Sequence, residues 1–75
     1  MARYAIKHVP SNRFLELDDD LGEFVLLNPN EKIPTFGQKS KAEAELEYYK
    51  ENTDEIENYI DGEVFPISEF GVVEV

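Results

Sequence analysis

The stretch that decides the fold is Lys41–Glu63, KAEAELEYYKENTDEIENYIDGE. Nine of its residues are acidic and two are basic. Ala42, Leu46, Tyr49, Thr53, Ile56 and Ile60 recur at steps of 4, 3, 4, 3 and 4, one stripe of a helix. Ser40 stands three residues before Glu43, a capping-box spacing in which the hydroxyl accepts from a helix N–H and the carboxylate reaches back. Gly62 suits the position just past a helix end. The reading is therefore a long acidic helix from Lys41 to Ile60. Acids near its start favour the positive end of the macrodipole, and those towards Asp61 oppose the negative end, so the far half is expected to fray. A rival reading breaks the helix at Asn52–Thr53 and folds NYIDGEVF into a hairpin on Asp61-Gly62. The unbroken helix is preferred.

Upstream, RYAIKHV (Arg3–Val9) alternates aromatic, β-branched and polar residues and reads as a strand. Pro10, Ser11 and Asn12 carry turn chemistry. RFLEL (Arg13–Leu17) returns as a second strand, DDDLG (Asp18–Gly22) is a polar loop, and EFVLL (Glu23–Leu27) is a third strand. NPNEKIP punctuates the chain with two prolines, and TFG (Thr35–Gly37) is a short extended piece. Downstream of Pro66, ISEFGVVEV reads as a last strand returning to the sheet. The expected fold is α+β: a three-stranded antiparallel meander, a C-terminal strand and one long acidic helix, in a single domain spanning 1–75.

Composition bounds the function. Seventy-five residues make a small core, and without cysteine neither a disulfide nor a thiolate–metal site supports it. The N-terminal residues lack the apolar run of a signal peptide, and the longest apolar run is Phe24–Leu27. A soluble protein of the cytoplasm is expected. The formal net charge is −10. Residues 1–41 hold six bases and six acids, whereas residues 42–75 hold eleven acids and only Lys50. All the net charge lies in the second half. It points to an electrostatic partner or a solvated face, and it opposes direct binding to nucleic acid.

Few residues offer catalytic chemistry. His8 is the single histidine. Ser11 is near it in sequence, but nothing marks it as activated, and His8 reads as a structural strand residue. DDDLGE fails as an EF-hand loop, because counting from Asp18 puts Gly22 at position 5 and Pro29 at position 12. It reads as a solvated turn. There is no phosphate-binding glycine loop, zinc pattern or nucleophile elbow. No enzyme activity, cofactor or metal is expected.

The acids remain. A helix from Glu43 to Glu63 is about 30 Å long at ~1.5 Å per residue. Its nine acids then give one charge per ~3.5 Å of axis, close to the ~3.4 Å per phosphate of a single DNA strand. Glu43, Glu47, Glu51 and Asp54 form a stripe that suits a basic, phosphate-binding groove. Glu55 and Glu57 add charge, and Tyr48, off the apolar stripe, is an anchor. Glutamate also favours helices and solubility, so a plain solvated face is the competing explanation. Against it, Glu43/Glu47, Glu47/Glu51 and Glu51/Glu55 are like charges four apart, a cost that interspersed lysines would avoid.

RYAIKHVPSNRFLEL, EFVLL, TFGQKSKAEAELEYY and FGVVEV together resemble, as a pattern, small open reading frames of phages of Gram-positive bacteria. Among these are acidic inhibitors such as the Twort-type inhibitors of the host DNA polymerase sliding clamp. The resemblance implies a DNA mimic acting in the host bacterial cytoplasm on a host DNA-binding protein, with its acidic helix in the basic channel of the clamp. It transfers no individual residue. A second expectation, of another class, is a structural or assembly module that pairs an exposed sheet edge, the last strand first, with a partner or in a homodimer.

Overall fold

The computed structural model describes residues 2–75. β1 (Tyr4–His8), β2 (Arg13–Asp18) and β3 (Glu23–Leu27) form an antiparallel meander. The chain then runs to α1 (Lys39–Asn52), a small hairpin of β4 (Glu55–Glu57) and β5 (Val64–Pro66), a 3₁₀ turn at Ile67–Glu69, and β6 (Phe70–Glu74). β6 pairs antiparallel with β1, so the main sheet has the order β3-β2-β1-β6. The fold is α+β, with the meander and returning C-terminal strand that the alternation pattern predicts. Its last strand starts later than expected, because Ile67–Glu69 first makes the 3₁₀ turn. Among the described residues, no helix is long and apolar enough to cross a membrane.

The alternation of strand side chains places Ile6, Leu15, Leu26 and Phe70 on one face. There they form a core with Leu46 and Tyr49 of α1 and Ile56 of β4. Phe36 is fixed by two main-chain bonds to Tyr4, of 2.7 and 3.0 Å, and packs against the same core. This bridge sets where the helix begins. α1 starts at Lys39 with Gln38 as its cap residue and no side-chain cap bond, so the Ser40–Glu43 capping box does not form.

The long helix is corrected as well. α1 ends at Asn52, and the rest of the acidic stretch is the β4–β5 hairpin. The cause is local. Asn52, Thr53 and Asp54 are poor helix residues in succession. The Thr53 hydroxyl instead donates to the Glu55 carbonyl at 2.7 Å and accepts from the Glu55 N–H at 3.3 Å, competing with the helical pattern. Ile56 pairs with Phe65 and is fully buried, while Ile60 is 71% exposed near the hairpin tip. The predicted stripe therefore stops at Tyr49, and the hairpin loop spans Asn58–Glu63 rather than a two-residue Asp-Gly turn.

That loop and the β2–β3 loop share one design. In DDDLGE and NYIDGE, the glycine takes a positive φ (Gly22 +68°, Gly62 +75°) and donates its N–H to the carbonyl four residues back, at 2.7 Å in both. An Asx oxygen at the first position accepts main-chain N–H groups: Asp18 from Asp20 and Leu21, Asn58 from Ile60. Asn58 does more. Its Oδ1 also accepts from the N–H of Leu26 at 3.3 Å, and the adjacent Tyr59 N–H donates to the Phe24 carbonyl at 2.9 Å. The hairpin thus caps the open edge of β3. Asn58→Ala is expected to cost about 2 kcal/mol, because it leaves a buried amide without an acceptor. A urea titration checks it; a change below about 0.5 kcal/mol, the range of ordinary surface substitutions, contradicts this role.

Candidate functional site

The predicted partner-binding residues divide between two elements. Glu43, Glu47, Tyr48 and Glu51 lie on α1, Asp54 lies in the link, and Glu55 and Glu57 lie on β4; all seven are exposed. Tyr48 is 60% exposed, as an anchor requires, and its ring meets that of Tyr49 edge-on.

The helix itself is not strongly acidic. It carries four carboxylates and three lysines. Lys39 and Lys50 line the same groove as Glu43 and Glu47, so the expected uninterrupted stripe of charge is compensated at both ends. The hairpin is different. From Glu51 to Glu57, four of seven residues are acidic and none is basic. Because Ile56 points inward, Glu55 and Glu57 both point outward. Glu51 stands in the last turn of α1, where the helix dipole disfavours it. Among the described residues, only Asp61, Glu63 and Glu69 of the seventeen acids lie within 4 Å of a basic side-chain nitrogen. At the helix–hairpin junction the charge is exposed and without a cation within 4 Å.

Asp61 and Glu63 flank Arg13, at 3.8 and 3.5 Å. The Asp61 carboxyl is held below its ordinary value, first by the Glu63 N–H that donates to it at 3.0 Å, then by the Glu63 side chain, with Arg13 contributing less. Arg13 also lies over the Phe65 ring, 5.4 Å from its centroid. These two acids position the hairpin on the sheet rather than belonging to the free surface.

A second acidic patch rims a cavity of about 250 Å³, where Glu16, Asp19 and Glu45 surround Leu15, Leu17, Pro34, Phe36 and Tyr49. The Tyr49 hydroxyl is pushed up to about 12, chiefly by burial and then by Glu45. A raised folded value stabilises the fold below the unfolded value of 10.0, and the benefit is lost as pH rises through about 12. One of the four tyrosines is therefore expected to ionise late, together with loss of structure, in an alkaline absorbance titration. Four tyrosines titrating together near their ordinary value would contradict the packing of Tyr49. Among the described residues, no group of three or more His, Asp or Glu is arranged to hold a metal ion.

One contact set was missed by sequence reasoning. His8, 2% exposed, lies between the rings of Phe65 and Phe70, with centroids at 4.1 and 5.0 Å. Its Nδ1 is 2.6 Å from Ser11 Oγ and its Nε2 is 2.8 Å from Glu69 Oε1. With Nε2 protonated towards the carboxylate, Ser11 donates to Nδ1, which is the connectivity of a nucleophile, base and orienting acid. Arg13 Nε donates to the same serine oxygen at 3.2 Å. The two cavities at hand are lined by other residues. The arrangement satisfies a buried imidazole and ties β1 to the turn before β6. Ser11 is expected to stay unlabelled by a fluorophosphonate probe; stoichiometric labelling would mark it as a nucleophile.

Compared with known proteins, the chain matches no family profile, no curated protein and no solved structure.

Proposed function

We propose that the protein is a non-enzymatic binding protein whose acidic surface docks on the basic, DNA-contacting surface of a partner, in the manner of a DNA mimic. The observation that carries this reading is the run Glu51, Asp54, Glu55 and Glu57, exposed and without a cation among them. Alternate residues of a strand lie ~6.8 Å apart and residues four apart on a helix ~6 Å, about two phosphate steps along a DNA strand. Glu43 and Glu47 extend the surface along α1, and Tyr48 is its aromatic anchor. A net charge of −10 steers such a protein towards a basic groove and displaces the counterions held there.

The DNA polymerase sliding clamp is the first partner to test, since its channel has the required chemistry. The protein is immobilised, a purified bacterial clamp is bound, and duplex DNA is added as competitor. Mutually exclusive binding supports the reading. A clamp that does not bind, or that binds indifferently to DNA, removes it as the target.

A further inference from the structure

The two edges of the main sheet are treated differently. β3 is capped by Asn58 and Tyr59, whereas β6 has no paired strand on its outer side among the described residues. The hydrogen-bond register shows which groups are free there. Val75 N–H donates to Arg3 at 2.8 Å and Val9 N–H donates to Glu69 at 3.1 Å. Alternation along the ladder then turns Gly71 and Val73 towards β1, and Val72 and Glu74 away from it. Tyr4 confirms the phase, since its main-chain groups bond Phe36 on the other side of β1. The main-chain groups of Val72 and Glu74 have no partner among the described residues. β6 has no lysine, proline or bulge of the kind that blocks edge pairing.

Beside this edge, under α1, runs a groove of about 340 Å³. Leu46, Phe70, Gly71 and Val72 give it an apolar floor, with Glu43 and Glu47 at the middle of its rim and Lys39 and Lys50 at the ends. A strand added to β6 places every second side chain over that groove.

We infer that β6 is a docking edge for an extended segment of a partner protein, with an apolar side chain in the groove and lysine or arginine two residues to either side, facing Glu43 and Glu47. Charge selects this occupant over a second copy of the chain. A second copy brings a further net −10 and the same carboxylates at the centre of its rim. A basic segment is drawn in by the overall field, and its cations meet Glu43 and Glu47 at the centre of the rim. The site shares Glu43 and Glu47 with the acidic surface but not Glu51–Glu57, and it is read from main-chain protection at Val72 and Glu74, so its failure and the failure of the mimicry reading are distinguishable.

The probe is the capped peptide Thr-Lys-Thr-Val-Thr-Lys-Thr, followed by amide NMR and hydrogen exchange. A control peptide N-methylated at its five central residues keeps the charge and the side chains and cannot pair, since no central N–H remains to donate and the methyl groups hold the strands apart. The first peptide is expected to slow exchange at Val72 and Glu74 by roughly fivefold or more, leaving the already paired Gly71 and Val73 unchanged. The control is expected to leave all four unchanged. Val72→Pro removes an outward N–H without touching the β1 ladder, so it should fold and lose the effect. If that variant does not fold, the alternating protection in the unaltered protein still decides. Equal shifts with both peptides, without protection at Val72 and Glu74, overturn the proposal in favour of simple charge attraction. A protein that sediments as a dimer, and as a monomer with Val72→Pro, overturns it in favour of a second copy.

Discussion

Replacing Ile56 with alanine is expected to cost about 3–4 kcal/mol, the range for emptying a large aliphatic site in a core. Ile56 is fully buried, touching the core formed by the sheet and α1. A domain of this length has about 4–11 kcal/mol in all. The loss should lower Tm by about 15–25 °C. Ile60→Ala, four residues on, should change stability by less than about 0.5 kcal/mol, because Ile60 stands in water. The pair separates the two readings of Lys41–Glu63. An unbroken amphipathic helix puts both isoleucines on one buried stripe, so the two substitutions would then cost similar amounts. Thermal melts of both variants suffice.

The reason the stripe misleads is visible at single residues. Ala42, Leu46 and Tyr49 are helical and buried, as the periodicity predicts. Ile56 fits the same spacing, yet one buried residue between two exposed ones, Glu-Ile-Glu, is also a strand pattern. A single apolar position cannot discriminate between these periods. The signal that could have decided was Asn52-Thr53-Asp54, weak helix formers that bond locally. The meander and β6 were legible because alternation and turn residues are themselves local: Pro10–Asn12 and Asp18–Gly22 lie between strands of clear pattern. The capping of β3 by Asn58 was not legible, since the partners are 32 residues apart. Nor was the contact between His8 and Glu69, 61 residues apart. The excess of acid was plain in the sequence, but its placement was not, because the break at Thr53 moves it from the helix to the hairpin.

That placement yields the largest expected effect on binding. A variant with Glu51→Gln, Asp54→Asn, Glu55→Gln and Glu57→Gln removes four exposed charges that no cation opposes within the chain. At up to about 1 kcal/mol for each exposed ion pair, affinity for a basic partner should fall roughly 100- to 1000-fold. The fold should survive, since relieving mutual repulsion costs no packing. The same four changes leave Glu43, Glu47 and the β6 groove intact, so they should not affect protection of Val72 and Glu74 by the extended peptide. A variant in which Glu43 and Glu47 become glutamine should do the reverse at the groove. Equal losses from both variants at both sites would mean that only total charge matters.

The most direct test of the acidic surface compares the unaltered protein with the four-charge variant in capture from a Gram-positive bacterial lysate, washed at stepped salt. The account predicts that DNA-binding proteins are held by the unaltered protein at low salt and released by rising salt or added duplex DNA, and that the variant holds none of them. The same proteins retained by both at high salt, untouched by DNA, would contradict it and return Glu51–Glu57 to a solvated face.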